Sequence, residues 1–309
     1  MNAVIAPSAT PAAVLEQLGG IILGKPRQLR LALTCLLAGG HLLIEDVPGV
    51  GKTTLALALA RTLGLDYQRI QFTSDLLPSD VLGVSIYRRE AGDFEFRAGP
   101  VFAQVVLADE INRASAKTQS ALLEAMEERQ VTVDGATRKL PRPFFVIATL
   151  NPAEQVGTFP LPESQLDRFL MRISLGYPAA NDERDLLAAP ERRGLIDALA
   201  PSLDATAVLA LQQRVTAVRT TPPLLDYILA LVRTSRSHAH IRQGLSPRAG
   251  LALRRAAQAW ALIEGRTGVL PEDVQAVFAA VAGHRLAASD QDAPGAALAE
   301  NLLRSVAIP

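Results

Sequence analysis

Residues 46–53 read Asp46-Val47-Pro48-Gly49-Val50-Gly51-Lys52-Thr53, with Thr54 next, and how this stretch is read decides the fold. The apolar run His41 to Glu45 precedes it and a helical pattern, Thr53 to Leu63, follows it. A glycine-rich turn between a strand and a helix leaves backbone N–H groups and the helix N-terminus facing outward, the arrangement that cradles phosphates. Lys52 is then placed to reach the β- and γ-phosphates of a nucleotide, and the Thr53 hydroxyl to ligate Mg2+. One position departs from the phosphate-loop pattern, which has glycine where Asp46 stands. Asp is among the non-glycine residues that best tolerate strained backbone.

Working outward, further apolar runs fall at Tyr67 to Phe72, Val105 to Asp109 and Pro143 to Leu150. They read as strands covered on both faces of a parallel sheet. Helical patterns separate them, notably Ala116 to Arg129, where Leu122 and Met126 share a face. This alternation predicts an α/β nucleotide-binding layer. Two of the strands end in chemistry. Val105-Val106-Leu107-Ala108-Asp109-Glu110 closes on paired carboxylates, so Asp109 can hold the Mg2+ shell while Glu110 polarises an attacking water. Ile147-Ala148-Thr149-Leu150-Asn151-Pro152 closes on Asn151, which could hydrogen-bond the γ-phosphate or that water.

Two hairpins interrupt the alternation. One pairs Val84–Tyr87 with Phe94–Arg97 around Gly92-Asp93. The other pairs Val131–Val133 with Ala136–Leu140 across Asp134-Gly135, a dipeptide suited to the positive φ of a two-residue turn. From Asn181 onward strand signals vanish and helices follow one another. The clearest has Leu224, Tyr227, Ile228, Leu231, Val232 and Ser235 on one face. Pro222-Pro223, Ser246-Pro247 and Leu270-Pro271 mark helix starts. A boundary near residue 178 divides the chain into 1–178, with a disordered first ten or so residues, and a helical 179–309.

Composition narrows the function classes. The 309 residues suit about two domains, and 31 basic against 31 acidic side chains leave a net charge of zero. A grip on a nucleic-acid backbone usually needs a basic surplus, so that partner is disfavoured. A single cysteine, Cys35, excludes an internal disulfide and any cysteine-rich metal site; its leucine neighbours place it in a buried helix. No apolar stretch reaches the roughly 20 residues of a membrane span, and nothing resembles a signal peptide, so a cytoplasmic location is expected.

The chain resembles the AAA+ ATPases and, within them, the MoxR family. The resemblance is carried by residues 108–114 (Ala-Asp-Glu-Ile-Asn-Arg-Ala), 119–128, 148–152, 157–163, 165–169, 244–249, 264–266 and His284-Arg285. It implies a P-loop αβα core with a parallel sheet plus an all-helical C-terminal lid domain. By the same resemblance Lys52 and Thr53 belong to Walker A, Asp109 and Glu110 to Walker B, and Asn151 is sensor 1. Arg168 matches the arginine finger that reaches the next subunit's ATP, with Arg172 as the rival. Arg248 matches sensor 2, contacting the γ-phosphate of its own subunit from above. Ile22, Leu23 and Gly24 match the segment that packs on adenine.

The family implies ATP hydrolysis with ATP and Mg2+ in a homo-oligomer, expected to be a hexamer. It also implies chaperone-like remodelling or maturation of a client protein complex, together with a von Willebrand factor A domain protein. Two alternatives stand beside it: a nucleotide-gated assembly scaffold and, less favoured, a nucleic-acid-associated motor. Phe94, Phe96 and the Asp134-Gly135 hairpin are candidate contacts with a client. Some residues invite bland readings. Arg168 could be a surface ion pair with Asp167 or Glu163. His238 and His240 would lie on different faces of a helix end, unsuited to a metal. Trp260 reads as lid packing.

Overall fold

The structure, a computed structural model, describes residues 10–90, 92–152, 157–188, 192–289 and 295–308. The expected disorder of the first ten residues therefore falls, apart from Thr10, outside the described residues. Five parallel strands, β1 (Leu42–Glu45), β2 (Tyr67–Gln71), β5 (Val105–Asp109), β8 (Phe145–Leu150) and β9 (Met171–Ile173), form one sheet in the order β2-β5-β8-β1-β9. Two antiparallel hairpins stand apart from it, β3 (Gly83–Arg88) with β4 (Asp93–Ala98) and β6 (Gln130–Val133) with β7 (Ala136–Lys139). The helices of this half are α1 (Pro11–Ile21), α2 (Pro26–Leu37), α3 (Lys52–Thr62), α4 (Pro78–Leu82), α5 (Ala116–Glu128) and α6 (Glu163–Leu166).

Alternation along the central strands explains why they read as continuously apolar. Val105, Leu107, Phe145 and Ile147 face one buried cluster, with residues of α1, α2 and α3. Val106, Ala108, Val146 and Ala148 face the other, with residues of α5. Successive side chains of a strand point to opposite faces, so a strand covered twice must be apolar throughout. β2 departs from that expectation. It lies at the sheet edge, and its Gln68, Arg69 and Gln71 are exposed. The three-residue β9, at the other edge, has no counterpart in the sequence reading.

Beyond β9 come α7 (Ala180–Ala188), α8 (Arg192–Asp197), α9 (Ala205–Ala217), α10 (Pro222–Ser237), α11 (Pro247–Ile263), α12 (Pro271–Ala282) and α13 (Gly295–Ser305). The expected start signals have physical counterparts here. The Ser246 hydroxyl accepts the Ala249 N–H at the head of α11, and the Asp273 carboxylate accepts the Leu270 N–H at the head of α12. The buried face of α10 is Leu224, Tyr227, Ile228, Leu231, Val232 and Ser235. Strands do not vanish altogether: β10 (Ile241–Gln243) pairs with β11 (Ala287–Ala288) as a small antiparallel ribbon. Segments this short carry no periodicity to read.

The helical half is not a separate ball. α11 packs on α2, α12 packs on β9, and buried residues of α9 to α13 join the cluster above α1 to α3. Cys35 is fully buried in α2, where burial pushes its thiol well above the usual range. Trp260 sits on α11 with the Arg30 guanidinium of α2 5.5 Å over its ring. Among the described residues no helix is long and apolar enough to cross a membrane.

Candidate functional site

β1 ends at Glu45, and the loop that follows turns into α3 at Lys52. Gly49 and Gly51 take φ of 83° and 93°, the left-handed region that side chains avoid, and a Cβ on either would meet no atom within 4 Å. The glycines are therefore required by the backbone turn and not by crowding. Asp46 carries no positive φ, so the expectation of strained backbone there is corrected. Its side chain explains it instead. One carboxylate oxygen accepts the Val47 N–H at 2.9 Å. The other accepts the N–H groups of Leu175 and Gly176 at 2.6 and 2.7 Å and the Ser174 hydroxyl at 3.0 Å. Its own carbonyl receives Lys52 Nζ at 2.6 Å.

Pro48, Gly49, Gly51, Lys52, Thr53, Thr54, Asp109, Glu110 and Asn151 line one cavity of about 310 Å³ at the C-terminal ends of the strands. Val47 and Val50 complete the loop around it. Asp109 is buried, one oxygen accepting the Thr149 hydroxyl at 2.6 Å and the other the Arg69 guanidinium at 2.7 and 3.1 Å. Glu110 adopts the left-handed conformation (φ 56°), rare for a residue with a Cβ and concentrated at functional sites. Its N–H donates to Thr149 Oγ1 at 2.8 Å, and its carboxylate meets Gln71 Nε2 and Arg113 Nε, each at 2.9 Å. Thr149, Arg69, Gln71 and Arg113 are site residues that the sequence reading missed. For Arg69 and Gln71 the signal was there: polar residues two apart, on one face of a strand otherwise read as apolar.

The donor set suits a hard divalent cation. A hydroxyl at the helix start (Thr53) and a carboxylate at a strand tip (Asp109) share the cavity, and Mg2+ takes one or two such oxygens together with phosphate and water oxygens. Among the described residues no group of three or more His, Cys, Asp or Glu could hold a metal without such help. His238 and His240 lie past the end of α10, not on it. Their rings are 5.8 Å apart, and the His240 N–H donates to His238 Nδ1 at 3.3 Å.

Ile22, Leu23 and Gly24 do not line this cavity. Gly24 (φ 68°) lies so close to Asp182 that a Cβ would collide with its carboxylate, and Lys25 Nζ donates to the Tyr177 carbonyl at 2.7 Å. The segment is thus tied to the start of the helical half.

Arg168 and Arg248 are brought together, but away from the phosphate loop. Both pair with Glu127 at the end of α5, at 3.1 and 3.0 Å. They line a second cavity of about 520 Å³ with Gly39, Gly40 and His41, which precede β1, and with Asp167, which precedes β9. This cavity lies at the N-terminal ends of the parallel strands. β1 alone, four residues long, spans roughly 13 Å between the two ends. The expectation that Arg248 covers the γ-phosphate of its own subunit is therefore corrected. The packing of α11 on α2 carries the helix start to the wrong end of the sheet.

The bland alternatives for Arg168 do not hold either, since Asp167 pairs with Arg285 and Glu163 with Arg242. Its rival Arg172 is spoken for on both sides, by Glu45 at 2.8 Å and the Gly283 carbonyl at 3.1 Å. On the first hairpin Phe94 is 72% exposed, its ring centre 5.2 Å from that of Tyr87 and tilted 58° to it, whereas Phe96 is covered by the Arg138 guanidinium 3.8 Å from its ring.

Comparison with known proteins gives a consistent picture. Residues 41–171 match the ATPase family associated with various cellular activities (AAA), and residues 233–304 match the AAA lid domain. The chain is similar to the uncharacterized protein YeaC of Bacillus subtilis (strain 168), 50% identical over 88% of this chain and 85% of that one. It is similar also to Chaperone MoxR1 of Mycobacterium tuberculosis, 41% identical over 94% of this chain and 80% of that one. A crystal structure from Cytophaga hutchinsonii superposes with a TM-score of 0.86 at 37% identity, covering 96% of this chain and 94% of that one.

Proposed function

The chain belongs to the MoxR family of AAA+ ATPases, and from that premise we propose that it hydrolyses ATP to ADP and phosphate in a ring of its own copies. The ring, a hexamer in this reading, uses the turnover to remodel or mature a client protein complex in the cytoplasm. A von Willebrand factor A domain protein is its working partner. The observation that carries this is the separation of the two cavities. The phosphate loop and paired carboxylates lie at one end of the strands, Arg168 and Arg248 at the other. Neither guanidinium can serve its own loop, so each is free to serve a second copy's.

Thr53 and Asp109 would hold Mg2+, which when bound would supply positive charge to the nucleotide's phosphates. On nucleotide binding Lys52 leaves the Asp46 carbonyl for the phosphate oxygens. Glu110 takes the proton of the attacking water, and Asn151 orients that water. Charge spreading over the γ-phosphoryl oxygens is met by the neighbour's Arg168, with Arg248 beside it. The division at residue 178 gives a nucleotide core (1–178) and a lid (179–309), hinged at Tyr177-Pro178. Phe94 and Tyr87, with the Asp134-Gly135 tip, supply the client contact. Alanine at Phe94 is expected to lower partner-stimulated turnover and leave basal turnover intact.

A nucleotide-gated scaffold is the second reading. It is favoured by the engagement of both carboxylates, Asp109 by Arg69 and Glu110 by Gln71 and Arg113. Turnover per subunit, measured across a wide protein concentration range with Glu110→Gln as background, separates the two. A rise with concentration that collapses about a hundred-fold or more in the Gln variant supports the enzyme. Background turnover at every concentration supports the scaffold.

A further inference from the structure

Arg285 lies just past the end of α12, with its side chain only 6% exposed. Nε donates to the Asp167 carboxylate at 2.6 Å. Nη2 donates to the carbonyls of Asp167 and Phe169 at 3.0 and 2.7 Å. Nη1 donates to the Leu170 carbonyl at 3.1 Å and to the Val281 carbonyl of its own helix. Its neighbour His284 adds a bond from Nε2 to the Phe169 carbonyl at 3.0 Å, the imidazole being held neutral by burial. Every one of these long-range contacts falls on residues 167, 169 and 170. The residue they enclose is Arg168.

Burying a guanidinium is costly unless each donor is met, and a well-packed apolar side chain commonly stabilises a fold as well. What five fixed donors add is geometry. They hold the backbone on both sides of Arg168 at one distance from the lid. The Arg168 side chain then extends to Glu127 and the open cavity. Arg172 Nη2, bonded to the Gly283 carbonyl, ties the strand that follows to the same turn of the lid.

We propose that Arg285 is the positioning residue of Arg168. From the lid it sets the backbone that projects Arg168, so that lid movement driven by one copy's nucleotide changes the fit of its guanidinium at the next copy's ATP. The inference rests on the reading of Arg168 as a finger acting between copies.

Subunit mixing tests the inference and that reading separately. A Lys52→Ala subunit lacks a working site but keeps a finger, and an Arg168→Ala subunit is the reverse. Mixed in equal amounts, about a quarter of head-to-tail interfaces pair a working site with a working finger. Recovery of turnover in that mixture tests the finger; its absence means that the finger reading fails. Arg285→Gln then replaces Arg168→Ala. Alone, it is expected to bind a fluorescent ATP analogue as the unaltered chain does, to keep its oligomer size, and to turn over about a hundred-fold more slowly. Mixed with Lys52→Ala, it is expected to recover as the Arg168→Ala mixture does.

Full activity of Arg285→Gln alone, or no recovery where the Arg168→Ala mixture recovers, overturns the inference. If the Gln variant does not fold, Arg285→Lys keeps a charge against Asp167 but cannot span three carbonyls. It is expected to lose about ten-fold in turnover at unchanged nucleotide affinity and to recover on mixing. Unchanged turnover in Arg285→Lys overturns the inference equally.

Discussion

Asp46 stands where the phosphate-loop pattern has glycine, and its carboxylate is the acceptor for the N–H groups that close β9 onto the loop. Asp46→Gly, although it restores the pattern, is expected to destabilise the fold. It strands the buried Leu175 N–H and removes charge-assisted bonds, a loss of about 2–4 kcal/mol, readable as a lower midpoint in urea. An unchanged midpoint would mean that water replaces the carboxylate. Arg69 offers the opposite case. Its guanidinium is half exposed and pairs with Asp109, where it would compete with the proposed Mg2+. Arg69→Ala is expected to lower the Mg2+ concentration needed for half-maximal turnover by roughly two- to five-fold, the scale of a partly exposed ion pair. What was legible at this scale follows from the chain itself. Asp109, Glu110 and Asn151 sit at or just past strand tips whose apolar runs announce them, and Lys52 and Thr53 open the helix after the glycine-rich turn. Arg69, Gln71 and Thr149 were not legible as partners because they meet the acidic pair across neighbouring strands, some 40 residues away in sequence.

Among the elements, those with many turns or full burial could be read, and the short ones could not. α10 presents six buried positions at helical spacing, enough repeats for the period to stand out. Leu231, fully buried on that face, tests its contribution: Leu231→Ala is expected to cost about 2–5 kcal/mol, measured by thermal or urea unfolding, whereas the exposed Leu229→Ala should cost well under 1 kcal/mol. Equal losses would mean that the helix face is assigned wrongly. The hairpin β6–β7 was legible from two residues alone, because Asp134 and Gly135 both take positive φ, at 53° and 74°. β9, β10 and β11 have two or three residues each, too few for alternation to register, and tertiary pairing alone makes them strands. β2 was legible as a strand but not as an edge, since position in a sheet is decided by its neighbours and not by its own residues.

At the scale of the whole molecule, the sequence order of the motifs says nothing of which end of the sheet the lid reaches, and that is why Arg248 fell on the opposite side from its expected ligand. The packing of α11 on α2 decides it, and at that end of the sheet, directly before β1, stands His41. Its Nδ1 accepts the Val146 N–H at 3.0 Å and its Nε2 donates to the Met126 carbonyl at 3.3 Å, so the ring is neutral and joins β1, β8 and α5. Burial first, and then the charge of Arg129, lower its pKa to about 4 from 6.5. A histidine whose folded pKa is depressed takes up its proton in the unfolded chain first. Stability is therefore fully present above about pH 6.5 and is lost as pH falls toward 4. Buried His284, shifted in the same direction, adds to the loss. Between pH 7.5 and 5.0 the His41 share amounts to about 2 kcal/mol. The measurement is the urea-unfolding free energy at both pH values for the unaltered chain and for His41→Asn, whose amide oxygen can accept from Val146 as Nδ1 does and which does not titrate. The variant is expected to be less stable at pH 7.5 but to lose about 2 kcal/mol less on acidification. An identical pH dependence in the two chains would show that His41 takes up its proton as readily in the folded chain as in the unfolded one, and that the junction between sheet and α5 does not depend on a neutral ring.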